Sequence, residues 1–175
     1  MQKPVIGISS CLLGRRVRYD GGNKLQQNLV DWLGDEVEFV AICPEVAIGM
    51  GTPRPPIQLT ADILNPEARQ VDAPERTYTQ SLKNFAMQVS DEYVLDGYIF
   101  KSRSPSCGLG STPVTIDGAI QRQTVSGVYA SSLTRFQPYL PVTEEESLVT
   151  RKACREFLHR CLRYKTMRLA LKDSF

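Results

Sequence analysis

The chain has 175 residues, enough to bury a sizeable core in one domain spanning 1–175. Its 21 basic and 19 acidic residues nearly balance, so overall charge makes no case for nucleic-acid binding, although a local patch stays open. No apolar run approaches the roughly 18 residues needed to span a bilayer, and Met1-Gln2-Lys3-Pro4 leads into a strand rather than a signal-peptide core, so a cytoplasmic protein with no membrane partner is expected.

The first predicted strand covers 4–10 and ends at Cys11. After it come Arg15, Arg16 and Arg18, which either hold an anion or form a solvated loop, and then the turn-forming Asp20-Gly21-Gly22. Leu25, Leu29, Trp32 and Leu33 have helical spacing, which predicts a helix over 23–34 stopped at Gly34. A second strand, 37–42, ends at Cys43. Pro44 suits the first residue of a short helical turn, which would aim backbone N–H groups at the Cys43 sulfur. Residues 53–56 are stiff and extended, and 57–73 hold at most a small hairpin. A helix is predicted over 77–95 and a third strand over 97–101. That strand runs into Lys101-Ser102-Arg103-Ser104-Pro105-Ser106-Cys107-Gly108, a polar loop with little to bury. Residues 108–124 show no clear period; 126–137 read as a helix, 139–142 as a fourth strand and 145–172 as a final helix. Alternation of strands and helices predicts an α/β fold with a mostly parallel sheet of about four strands, covered by helices on both faces.

In such sheets ligands sit outside the carboxyl ends of the strands. Cys11, Cys43 and Cys107 all fall there, separated by 31 and then 63 residues. Five cysteines, an odd number widely spaced, argue for metal ligation or catalysis over a disulfide framework. A catalytic zinc takes three protein ligands and keeps a fourth position open. An iron–sulfur cluster is normally held by four thiolates, so three leave one iron without a protein ligand. Cys154 and Cys161 share an apolar helix face with Phe157 and Leu158 and read as core. The only histidine, His159, lies far down the last helix and is a poor fourth ligand. Glu45 follows Cys43 by two residues; neighbouring negative charge favours its acid form, which suits a proton donor and acceptor, while its plain alternative is a helix-start residue. Ser102, Ser104 and Ser106 cap a helix, donate to sulfur, or bind substrate.

Cys-Leu-Leu-Gly at 11–14 with Val-Arg-Tyr-Asp-Gly-Gly at 17–22, Cys-Pro-Glu-Val at 43–46, Pro-Arg-Pro-Pro at 53–56 and Ser-Pro-Ser-Cys-Gly at 104–108 together resemble the thiouracil desulfidase (TudS) family, from the first strand to about residue 145. The resemblance implies a Rossmann-like three-layer fold. It also implies a [4Fe-4S] cluster held by Cys11, Cys43 and Cys107, with one open iron that takes the substrate's sulfur to give a transient [4Fe-5S] species. The implied reaction replaces C=S of a thiolated uracil by C=O and releases sulfide. Glu45 and Ser104 match the family's catalytic residues. Arg18, Arg54, Ser102 and Ser106 are the candidates for binding substrate. Thiolated nucleotides and transfer RNA are further candidate partners; some relatives carry a C-terminal domain for transfer RNA, which this chain is too short to hold.

Two rival readings come from other classes. One is a zinc hydrolase or deaminase with three cysteine ligands and Glu45 as acid–base. The other is an RNA-binding module using the last helix, which carries eight basic and one acidic residue from Arg151 to Lys172.

Overall fold

The structure, a computed structural model, describes residues 2–172. The chain runs β1 (Val5–Ser9), α1 (Gln27–Leu33), β2 (Glu38–Ile42), α2 (Pro44–Ala47), β3 (Ile57–Thr60), β4 (Glu67–Gln70), α3 (Thr79–Glu92), β5 (Gly97–Phe100), β6 (Thr112–Ile116), β7 (Ala119–Val125), α4 (Val128–Phe136), β8 (Val142–Glu144) and α5 (Arg151–Lys172). Short 3-10 turns follow β1 (Ser10–Leu13) and β8 (Glu145–Ser147).

Four parallel strands form the central sheet in the order β2-β1-β5-β8. Side chains alternate across it, as the strand period demands. Ile6, Ile8 and Ile99 face one way and pack with Leu29 and Leu33 of α1 and with Cys154, Phe157, Leu158 and Cys161 of α5. Tyr98 and Phe100 face the other way and pack with α3 and α4 through Leu82, Ala86, Val89, Tyr129 and Leu133. The result is the expected three-layer α/β arrangement. Asp96 is fully buried just before β5, where it accepts the Val5 N–H at 2.9 Å and pairs with Arg168 at 2.8 Å, tying α5 to the amino ends of the strands.

Gly97 has a packing reason of its own. A Cβ at this position would lie 2.4 Å from the Cys161 sulfur. Gly97→Ala is expected to destabilise by about 1–3 kcal/mol through overpacking, measured as a lower urea midpoint. An unchanged midpoint would mean that α5 can move away at no cost.

The structure corrects several expectations. A second sheet, β4-β3-β6-β7, covers part of the region read as irregular. Its β6–β7 hairpin turns at Asp117 (φ 50°) and Gly118 (φ 77°), both left-handed, the pair of conformations that an Asp-Gly hairpin turn requires. The first helix starts at Gln27 rather than 23, because the Lys24 and Gln26 amides bond to the carbonyls of Cys11 and Leu12. The fourth strand begins after Pro141, at Val142 rather than 139. The last helix starts at Arg151, not 145; Thr150 caps it through the Ala153 N–H at 3.1 Å. Among the described residues no helix is long and apolar enough to cross a membrane.

Candidate active site

The strand order puts β1 between β2 and β5. The three residues that leave these adjacent strands at their carboxyl ends lead to the three thiols. Cys11 sits in the 3-10 turn after β1, Cys43 is the N-cap of α2, and Cys107 lies in the loop after β5. All three line one cavity of about 460 Å³, together with Glu45, Arg18, Arg54, Lys101, Ser102, Ser104 and Ser106. That volume lies within the range of ordinary small-molecule sites.

Burial pushes the Cys11 thiol up to about 11, and the nearby Cys43 adds to the rise while Lys101 and Arg18 oppose it. Burial likewise raises Cys43, against which the backbone N–H groups of Val46 and Glu45 pull downward. That is the arrangement Pro44 at the first helical position predicts. Cys107 is raised further, again first by burial, with Cys43, Glu45 and Cys11 adding to it and the Ser9 hydroxyl opposing. Cys43 thus adds to the rise at both Cys11 and Cys107, in keeping with the one cavity that the three thiols line. Thiolate is the ligating form, so metal capture by these residues would release protons and strengthen as pH rises. Among the described residues no three His, Cys, Asp or Glu side chains come close enough to hold a single metal ion.

Glu45 is held from two sides. Arg54 bonds its Oε2 through Nε at 2.8 Å and Nη2 at 2.7 Å. Ser106 donates to its Oε1 at 2.6 Å. Arg54 is 8 % exposed, and its Nη1 is taken by the carbonyls of Val17 and Gly51 at 2.8 and 2.9 Å. Its head therefore orients Glu45. Ser106 is 1 % exposed, and its hydroxyl lies 3.1 Å from that of Ser104, which in turn accepts the Cys107 N–H at 3.1 Å. A continuous chain of polar atoms thus runs from the half-buried Ser104 through Ser106 to Glu45.

Ser102 bonds to Glu145 and Lys101, so its hydroxyl braces the loop. Arg18 is half-buried at the rim, 3.4 Å from the Asp20 carboxylate and 5.3 Å from the Tyr19 ring centre. Arg15 and Arg16 are exposed and do not line the cavity. Cys154 and Cys161 are buried in the core between sheet and α5, as expected, and His159 is exposed. Lys165 and Arg168 turn to Asp96 at the amino ends of the strands, away from the thiols.

Lys101 belongs to the polar loop read from the sequence, but Glu144 and Glu145 are unforeseen members of this region. The acidic run at 144–146 is plain in the sequence, but its partners lie more than 30 residues away in the chain, beyond any local pattern. The β6–β7 hairpin, which closes one wall through Thr112, Thr115 and Ile120, was missed with its strands.

A family model described as 2-thiouracil desulfurase matches residues 6–145, from β1 through all three thiols and Glu45 to the end of β8. The chain belongs to the 2-thiouracil desulfurase family. Within the similarity, YbbK, an uncharacterised protein of Bacillus subtilis strain 168, is 33% identical over 150 residues, covering 81% of this chain and 97% of YbbK. The solved structure of TudS, a [4Fe-4S]-dependent thiouracil desulfidase, is 30% identical and matches with a TM-score of 0.63, covering 84% of this chain and 93% of that one. The family match ends before α5, so the basic helix stands outside the shared region.

Proposed function

We propose that this chain is a [4Fe-4S]-dependent desulfidase that converts the C=S of a thiolated pyrimidine to C=O and releases the sulfur as sulfide. The observation that carries this reading is the convergence of three thiols and an oriented carboxylate on one cavity. The donor set fits the cofactor: three free, soft sulfur ligands line a space larger than one ion needs. Cys11, Cys43 and Cys107 would hold the cluster, which when bound supplies a soft Lewis acid for the substrate's sulfur at the iron without a thiolate.

The chain's own residues supply the rest. The net change is C=S plus water to C=O plus hydrogen sulfide, so two protons of water must leave the oxygen and reach sulfur. Glu45, fixed by Arg54, is the base that takes a proton from water at the thiocarbonyl carbon. Ser106 and Ser104 form the hydroxyl path along which a proton moves between Glu45 Oε1 and the cavity. Arg54 holds the carboxylate rather than binding substrate. Arg18 at the rim is placed to meet a polar or anionic part of the substrate.

The test is anaerobic reconstitution with iron and sulfide, followed by a sulfide-release screen over thiolated uracils, their nucleosides and nucleotides, and thiolated transfer RNA. Sulfide release from the small thiopyrimidines supports the reading. A colourless protein that binds zinc and releases no sulfide overturns it. A cluster with one iron lacking a thiolate is open to oxidants. Air is therefore expected to bleach the protein and abolish activity together; full activity after hours in air, with iron retained, would count against that open position.

A further inference from the structure

Glu144, Glu145 and Glu146 are consecutive, yet each holds a different part of the loop that carries Cys107. Glu144 Oε1 accepts the Leu109 N–H at 2.6 Å and the Ser111 hydroxyl. Glu145 accepts the Ser102 N–H at 2.7 Å, the Ser102 hydroxyl at 2.9 Å and the Lys101 ammonium. Glu146 pairs with the Arg103 guanidinium. Neighbouring side chains on a strand point to opposite faces. Here β8 gives way to the 3-10 turn Glu145–Ser147, and that break lets three successive carboxylates reach one loop.

The contacts flank Cys107 on both sides, at 101–103 and at 109–111. Behind the loop, the start of α4 provides the opposing anchor: the Val128 and Ala130 N–H groups bond to the carbonyls of Pro105 and Ser106, each at 3.0 Å. The centre of the grip is shielded from water, with side-chain exposures of 15% for Lys101 and 4% for Glu145. The Lys101 ammonium has three donors, and Ser102 O (3.0 Å), Ser102 Oγ (2.9 Å) and Glu145 take all of them. Lys101 has none left for a substrate, although it lines the cavity.

We propose that Glu144, Glu145 and Glu146 clamp the 101–111 loop and so hold Cys107, Ser104 and Ser106 ready for the cofactor before it arrives. Glu145 is the principal positioning residue, and Lys101 is its counter-charge. The inference rests on Cys107 being a cluster ligand, but it concerns the order of the loop, which can be read without the cluster. A buried donor or ligand that is not fixed in place must be ordered each time the cofactor binds, which weakens its hold.

The experiment compares wild type with Glu145→Gln, Glu146→Gln and the double replacement Lys101→Met/Glu145→Leu. Amide hydrogen exchange is measured on each protein before reconstitution, and the rate of iron loss to a chelator afterwards. In Glu145→Gln, exchange at the amides of residues 102, 107 and 109 is expected to rise at least about tenfold while that of Ile8 and Ile99 in the sheet holds. Iron loss is expected to be about 10- to 100-fold faster, the usual consequence of losing an outer support of a metal ligand. Glu146→Gln, at the exposed rim, should show the smaller change. The double replacement removes both buried charges at similar volume, which often restores stability; it should still lose loop protection and iron retention. The proposal is overturned if the loop amides of Glu145→Gln stay protected. It is equally overturned if exchange rises throughout the sheet, or if the double replacement regains both loop protection and iron retention. A wild-type protein that takes up no iron and sulfide would defeat the cluster reading instead, and the exchange measurements would still decide the clamp.

Discussion

Serine in place of Cys11, Cys43 or Cys107 is expected to remove the brown chromophore and all sulfide release, while Cys154→Ala and Cys161→Ala keep both. The reason is ligand chemistry combined with position. A serine hydroxyl is a hard donor that stays protonated near neutral pH, whereas iron–sulfur clusters are held by soft thiolates. Only Cys11, Cys43 and Cys107 reach the cavity; Cys154 and Cys161 are packed against Ile6, Ile8 and Phe157 on the α1–α5 side of the sheet. Two remaining thiolates cannot hold the cluster that three would. The measurement is iron and acid-labile sulfide per chain after anaerobic reconstitution, with circular dichroism to show that each variant folds. The core variants are expected to lose stability and retain iron. A folded Cys154→Ala protein without iron would sink the three-ligand assignment.

The convergence of these three thiols on one cavity was open to reading in the sequence because each follows a short apolar run. Strands of a parallel sheet covered on both faces bury both sets of side chains, so Val5–Ser9 and Gly97–Phe100 stand out as continuous apolar segments with a change of character at the end. The β6–β7 hairpin was hidden for the opposite reason. Most of Ala119–Val125 is exposed and polar, so no apolar face marks it, although Asp117-Gly118 was a usable turn signal. Helix starts were overrun where the backbone serves the site. The amides of residues 24 and 26 bond to the Cys11 turn, and 145–147 form a separate 3-10 turn whose carboxylates reach the Cys107 loop before α5 begins. The partners of Glu45 were illegible because they come from folding: Arg54 is nine residues away and Ser106 sixty-one. Arg54 and Ser106 are candidates for binding substrate on the sequence alone. The structure places both on Glu45.

Glu45→Gln is expected to keep the cluster and lose about 10²- to 10⁴-fold in sulfide release, the typical cost of removing a positioned acid–base. Glutamine matches the shape of glutamate and alters no thiol, so ligation should survive. It cannot accept a proton from water, and its amide would place a donor against either Arg54 or Ser106, where the carboxylate now accepts from both. Ser106→Ala is the sharper companion test. In a supporting role for the loop it would change turnover little. As the hydroxyl 2.6 Å from Glu45 and 3.1 Å from Ser104, it is the link in the proton path, and its loss should approach that of Ser104→Ala. Ser102→Ala, whose hydroxyl faces Glu145 and Lys101, should leave the chemistry at Glu45 intact and affect loop order instead. The quantity to compare is initial sulfide release per assembled cluster, in single turnover, with iron content checked for each variant. Ser106→Ala turnover near wild type, beside a large loss in Ser104→Ala, would break the path at Ser106 and leave Ser104 acting on the substrate alone. Near wild-type turnover in Glu45→Gln would remove Glu45 from the chemistry and reduce its ion pair with Arg54 to a structural contact.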